Sequence, residues 1–234
     1  MATDDDTLRS LPSPTAVLFD LDGTLVDTVE TRIEAWHRTL GEAGLPTTRD
    51  EIAPLIGIDG RRLAREAAAA AGRPIDDARA EEIDKQSGEL YEALNTAPRS
   101  LPGFGALVAA LDAREIIWAI ATSSRKEQVA ASVEALGLAV EPRIVDASHV
   151  EHAKPAPDLL LEAARQLGIE PARCWYVGDS TWDMIAAVAA GMIAIGVTAG
   201  AAVGAEELMN AGAHITVESL GDLVTAFGEP VPAR

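Results

Sequence analysis

Apolar residues follow two rhythms along this chain. Short, nearly unbroken apolar runs occupy 15–22, 116–122, 143–146, 174–179 and 193–198. Runs of this length, rich in Val, Ile and aromatic side chains, predict strands buried on both faces. Ala- and Leu-rich stretches at 104–113, 126–136, 157–167, 182–190 and 204–211 carry the helical period instead. Strand alternating with helix implies right-handed crossovers and a parallel sheet covered on both sides. The expected fold class is α/β, a Rossmann-like three-layer sandwich.

One interval breaks the alternation. From 29 to 97 no strand pattern occurs, only helical patterns at 30–43, 61–71 and 77–94. An insert between the first two strands is expected to sit as a helical cap over the C-terminal sheet edge, where open α/β folds bind ligands. The alternative is that these helices pack flat on one sheet face. The resulting division is a flexible acidic start at 1–14, a core domain from 15–28 and 98–234, and a helical cap domain at 29–97.

Composition narrows the partners. A formal charge of −18 repels nucleic acid and anionic lipid, so neither is expected and a small molecule is. The single cysteine, Cys174, excludes an internal disulfide and suits reducing cytoplasm. The polar start has no apolar signal segment, and no run of about eighteen apolar residues occurs, so neither export nor membrane insertion is expected. The sequence leaves the oligomeric state open between monomer and dimer.

Four patches carry candidate chemistry, each at a strand end. Asp20-Leu21-Asp22-Gly23-Thr24 closes the first strand. Asp20 and Asp22 point to the same side if the strand continues, unless a turn at Gly23 swings Asp22 away. Two such carboxylates repel until a proton or a hard cation such as Mg²⁺ intervenes; one is then free to act as nucleophile and the other as general acid/base. Gly178-Asp179-Ser180-Thr181-Trp182-Asp183 supplies a second pair, although Asp183 also suits a plain helix N-terminus. Thr122 and Ser123 stand at a strand-to-helix junction, where hydroxyls and backbone N–H groups hold phosphate oxygens or simply cap the helix. Lys154, before Pro155, offers an ammonium to offset concentrated negative charge.

In this order, Asp20-x-Asp22-Gly-Thr, Thr122, Lys154-Pro155 and Gly178-Asp179-x-x-x-Asp183, the chain resembles the haloacid dehalogenase superfamily over about residues 15–225. The resemblance implies a phosphatase acting on a small phosphorylated metabolite. By similarity, Asp20 is the nucleophile, Asp22 the acid/base, and Lys154 the cation that stabilises Asp20 and the transferred charge. Mg²⁺ is held by Asp20, the backbone carbonyl of Asp22 and Asp179, with Asp183 supporting that shell or orienting Lys154. Thr122 and Ser123 hold the phosphoryl oxygens.

The helical insert looks like the small cap of the branch containing phosphoglycolate phosphatase and β-phosphoglucomutase, with Asp27-Thr28-Val29-Glu30 and Ala35-Trp36 as its marks. The mutase carries a histidine shortly before the Ala-Trp pair, and Arg32 stands at that position here. A β-phosphoglucomutase-like phosphotransferase is therefore the second choice, and a non-catalytic receiver-like phosphate-binding module the third. Within the insert, the loop 57–60 runs into Arg61 and Arg62. A guanidinium there is expected to touch the anionic substrate, the alternative being a surface ion pair.

Overall fold

A computed structural model describes residues 5–227 except 147, 149 and 151. Six parallel strands, β1 (Ala16–Phe19), β2 (Ile117–Ala121), β3 (Ile144–Val145), β4 (Cys174–Gly178), β5 (Ile193–Val197) and β6 (Ile215–Val217), form one sheet in the order β3-β2-β1-β4-β5-β6. The first five were expected; β6 was not, and it pairs with β5 through Ile195 opposite Ile215.

Side chains alternate across the sheet as the two-residue period requires. Val17 and Phe19 of β1 join Trp175 and Val177 of β4 in one core, while Ala16 and Leu18 join Cys174 and Tyr176 in the other. Leu107 and Leu111 of α6 (Phe104–Asp112) and Val129 of α7 (Lys126–Ala135) cover the first face. The second face is covered by α8 (Asp158–Leu167), α9 (Thr181–Ala189) and α10 (Ala205–Asn210). Cys174 is an interior thiol whose pKa burial pushes up to about 11, so it is not a nucleophile.

The start is more ordered than its composition suggests. Asp5–Ser10 forms α1, Leu8 is buried in the first core, and the Trp175 indole donates to the Pro12 carbonyl at 2.9 Å. One buried leucine and one hydrogen bond anchor residues 5–12 of the segment 1–14 that was expected to be flexible; residues 1–4 lie outside the described residues.

Between β1 and β2 the chain builds α2 (Val29–Glu42), α3 (Arg49–Ile52), α4 (Gly60–Ala70) and α5 (Asp77–Leu94). Short α3 went unrecognised, although Thr48 and Glu51 form a complete capping box at its start. Asp59 and Asp76 accept from Arg62 N–H and Arg79 N–H and so begin α4 and α5. These helices share an apolar cluster separate from the two sheet cores, containing Ile33, Trp36, Leu63 and Ile83.

That cluster abuts the C-terminal sheet edge. The Asp59 N–H donates to the Lys154 carbonyl at 3.3 Å, and the Trp182 indole donates to the Pro54 carbonyl at 2.9 Å. Arg125, just ahead of α7, pairs with Glu81 at 2.9 Å and Asp84 at 2.7 Å on α5. Among the described residues, no helix is long and apolar enough to cross a membrane.

Candidate active site

The strand order reverses at β1: the chain proceeds outward through β2 and β3, then returns to place β4 on the other side of β1. Ligands bind at such a switch point because the loops leaving neighbouring strands diverge there. Asp20 follows β1, Thr122 follows β2 and Asp179 follows β4, so three of the expected site residues share one crevice.

Asp20, Asp179 and Asp183 converge. One carboxylate oxygen from each lies within 4.8 Å of the others, and all three are buried. Gly23 makes this approach possible. Its φ is +80°, and a Cβ there would fall 2.2 Å from Asp179 Oδ2. A side chain at that position would therefore suffer both backbone strain and collision.

Lys154 enters the group from the loop ahead of α8. Only 1% exposed, its Nζ donates to Asp20 Oδ1 at 2.6 Å, Asp183 Oδ1 at 2.7 Å and the Tyr176 hydroxyl at 3.0 Å. All three ammonium hydrogens have acceptors. Burial alone would lower the Lys154 pKa, but Asp183 and Asp20 overcome this and raise it, so the group stays charged. Asp183 Oδ2 meanwhile accepts from the Ser180 N–H at 3.0 Å and its hydroxyl at 2.6 Å. Both Asp183 oxygens are thus engaged within the protein. That geometry suits orienting Lys154 better than direct ligation of a metal.

Asp22 departs from its neighbour. The turn at Gly23 swings its carboxylate toward the insert, where Oδ2 accepts from Arg32 at 2.8 Å and Ser124 at 2.6 Å, and Oδ1 from Thr28 at 2.7 Å and Tyr91 at 2.9 Å. The Arg32 guanidinium also stacks 3.5 Å from the Tyr91 ring centre. Burial pushes the Asp22 pKa up, but Arg32 and the hydroxyl donors outweigh it and hold the carboxyl below its ordinary value. The Asp22 carboxylate accordingly lies outside the acidic triad, which leaves its backbone carbonyl as the group the resemblance assigns to the metal.

Thr122 and Ser123 lie as expected at the crevice floor. Thr122 is buried, its Oγ1 accepting from the Ser124 N–H at 3.1 Å. The buried Ser123 hydroxyl has no hydrogen-bond partner among the described residues, an omission that costs roughly 1–3 kcal/mol unless a ligand supplies the partner. Above them lies a cavity of about 70 Å³ whose lining includes Asp20, Thr122, Ser123, Lys154 and Asp179 from the core, with Arg32, Trp36, Asp84 and Ser87 from the insert.

Arg61 and Arg62 do not reach this cavity. Gly60 and Leu63 line it, and at 100° per residue the two arginines between them must point away. Arg61, its side chain 45% exposed, pairs with Asp59 at 3.1 Å. Arg62 pairs with Glu66 at 2.6 Å and lies 5.2 Å from the Trp182 ring centre. The cation on the insert side of the cavity is instead Arg32, which the sequence reading did not place in the site. Tyr176, Asp84, Ser87 and Gln128 are further additions.

The donor set fits a hard divalent cation. Three buried carboxylates face one ammonium, leaving the cluster short of positive charge. The pKa of Asp20 rises from 3.8 to about 7, chiefly through burial and despite Lys154. Burial, then Asp183 and Asp20, push Asp179 well above the ordinary range. Such oxygens hold either protons or a cation, and oxygen-only ligands suit Mg²⁺.

A sequence model of the family described as "Haloacid dehalogenase-like hydrolase" matches residues 17–197. The chain belongs to the haloacid dehalogenase-like hydrolases. A phosphoglycolate phosphatase of Xanthomonas campestris pv. campestris is 29% identical over 94% of this chain and 99% of its own. A fructose-1-phosphate phosphatase of Escherichia coli is 31% identical over 77% of this chain and 95% of its own. The crystal structure of a hydrolase from Pseudomonas syringae matches with a TM-score of 0.84 at 33% identity, covering 89% of this chain and 95% of that one. This haloacid dehalogenase-like hydrolase is an enzyme of the phosphatase type, with its switch-point crevice at the position the fold reserves for ligands.

Proposed function

We propose that the chain is a Mg²⁺-dependent phosphatase that hydrolyses a small phosphorylated metabolite through an aspartyl phosphate on Asp20. The observation that carries this reading is the buried Asp20 carboxylate, held at Oδ1 by Lys154 and lining one cavity with Ser123, whose hydroxyl has no partner among the described residues. A carboxylate fixed through one oxygen keeps the other for attack, and an orphan hydroxyl beside it calls for a phosphoryl oxygen.

Asp20 attacks phosphorus and the bond to the leaving alcohol oxygen breaks, with Asp22 delivering the proton that oxygen needs. Water then attacks the same phosphorus, gives its proton to Asp22, and inorganic phosphate departs from the regenerated carboxylate. In the geometry described, Asp22 is the ionised partner of Arg32, a state suited to accepting the proton from water. Donation to the alcohol requires Asp22 to carry a proton when the ester is bound. Thr122 and Ser123 hold the phosphoryl oxygens, Lys154 offsets the charge that moves from Asp20, and Asp183 orients Lys154. Mg²⁺ held by Asp20, Asp179 and the Asp22 backbone carbonyl would offset the repulsion between an anionic nucleophile and an anionic ester. Residues 29–97 act as the cap domain over a core of 15–28 and 98–234, excluding water from the crevice.

The test is hydrolysis of an aryl phosphate, expected to require Mg²⁺ and to stop on chelation; undiminished turnover in chelator contradicts the reading. A thermal readout accompanies it. Asp20 and Asp179 have raised folded-state pKa values, so their contribution to stability without metal is present below the unfolded carboxylate pKa and is lost as pH rises toward and beyond about 7. Mg²⁺ binds the deprotonated site and should raise Tm more at pH 7.5 than at pH 5. An equal increment at both values argues against these carboxylates as its ligands.

A further inference from the structure

The insert side of the cavity differs chemically from the phosphoryl side. Ser87 of α5 is only 3% exposed and lines the cavity. A serine hydroxyl at the cavity wall can both donate and accept a hydrogen bond. One turn before it, Asp84 lines the same cavity with its carboxylate. Gly60 allows this, since a Cβ there would fall 1.9 Å from Asp84 Oδ1. Gln128 lies opposite, against Gly88, its Oε1 accepting from Arg32 at 3.4 Å.

Charge decides what fits between them. Among the described residues, the cavity lining carries the carboxylates of Asp20, Asp22, Asp84 and Asp179 against the cations Arg32 and Lys154. Both cations are committed, Arg32 to Asp22 and Lys154 to Asp20 and Asp183. Arg125 is committed to Asp84 and Glu81. A bound divalent cation is matched by the phosphate dianion, so the lining keeps its negative excess. A second anionic group on the substrate would find Asp84 and no uncommitted cation, and like charges placed together cost several kcal/mol. Hydroxyl groups meet the opposite situation, since they donate to Asp84 and exchange hydrogen bonds with Ser87 and the Gln128 amide. Trp36 and Leu63 complete the wall with apolar surface, which suits the C–H faces of a carbohydrate.

We propose that Ser87, Asp84 and Gln128 bind an uncharged, hydroxyl-rich leaving group, so that the preferred substrates are polyol or sugar phosphates rather than esters whose leaving group carries a carboxylate. This rests on the phosphatase reading above and adds the identity of the leaving group to it. The two fail separately. Aryl phosphate hydrolysis tests the phosphatase reading, and its absence with Mg²⁺ present takes both down. The leaving group is tested by kcat/KM for glycerol 1-phosphate and fructose 1-phosphate against 2-phosphoglycolate.

The better of the two polyhydroxyl esters is expected to exceed 2-phosphoglycolate by about 100-fold, within the range over which unmatched polar groups discriminate. Asp84→Asn should narrow that gap by about ten-fold, because it removes the repelling charge. Ser87→Ala should lower the ratio of polyhydroxyl ester to aryl phosphate by about ten-fold, through loss of one hydrogen bond to a bound hydroxyl. The aryl reference separates a loss of leaving-group binding from a general loss of active protein. Preference for 2-phosphoglycolate, equal rates on both classes, or turnover of the aryl ester alone would overturn the proposal. Ratios unmoved in both variants would also overturn it.

Discussion

Asp20→Asn is expected to lower turnover of any phosphate ester by about 10⁴-fold or more, the scale on which removal of a catalytic nucleophile acts. The fold should survive. The asparagine carbonyl still accepts from Lys154, and a neutral amide in place of one of three crowded carboxylates removes both the cost of burying that charge, the chief cause that raises the pKa of Asp20 to about 7, and the smaller repulsion from Asp183. Circular dichroism and the melting temperature are expected to stay near wild type while activity disappears. Near-normal turnover in this variant would remove Asp20 from the chemistry.

Lys154→Met should be the most damaging single change to the site. It removes the one ammonium that meets Asp20 and Asp183 in a buried cluster. Breaking a buried ion pair from one side costs about 3–5 kcal/mol, which corresponds to a fall in Tm of about 10 °C for a protein of this size. The loss should be greater at pH 8 than at pH 5. Asp20 and Asp179 already have raised folded-state pKa values, and removing the cation raises them further, so the destabilisation grows as pH climbs through the folded pKa. Pairing the change with Asp183→Asn should restore part of the stability, since the second partner then carries no uncompensated charge. Calorimetry of the two single variants and the double variant at both pH values checks this. A Lys154→Met protein as stable as wild type would mean that the ammonium does not hold the cluster together.

Asp20, Thr122 and Asp179 were legible in the sequence because each follows a strand whose type the apolar pattern fixes, and Lys154 because it stands just ahead of a proline-opened helix. A carboxylate at the end of a four-residue buried strand has few places to go once the strands on either side are parallel. Strand β6 was not legible, since three residues with one apolar neighbour pair carry too little pattern to register. The departure of Asp22 depends on the positive φ at Gly23 and on Arg32, a partner ten residues away on another element.

The insert residues were missed for a different reason. In α5 the inward face runs through Ala80, Ile83, Ser87, Gly88 and Tyr91, and the polar members of that stripe contribute to the cavity and to the hydrogen bonds on Asp22. A polar residue in phase with a buried stripe was the available signal. Arg32 gave the same signal, beside Ile33 and in phase with Val29 and Trp36. Arg61 and Arg62 drew notice as adjacent basic residues on a loop, but helical phase turns both outward, with Gly60 and Leu63 taking the cavity.

The central claim is that the phosphoryl group passes through a covalent bond to Asp20. Acid-quenched single turnover with Mg²⁺ and excess enzyme, followed by borohydride reduction and peptide mass spectrometry, tests it most directly. Asp22→Asn with an aryl phosphate is the combination of choice, because an aryl leaving group departs without a proton from Asp22 while the attack of water still lacks its base, so the acyl phosphate accumulates. The expected result is conversion of Asp20 alone to homoserine, dependent on both ester and metal. Product formation with Asp20 unmodified at every quench time, or an adduct on any other side chain, would contradict it.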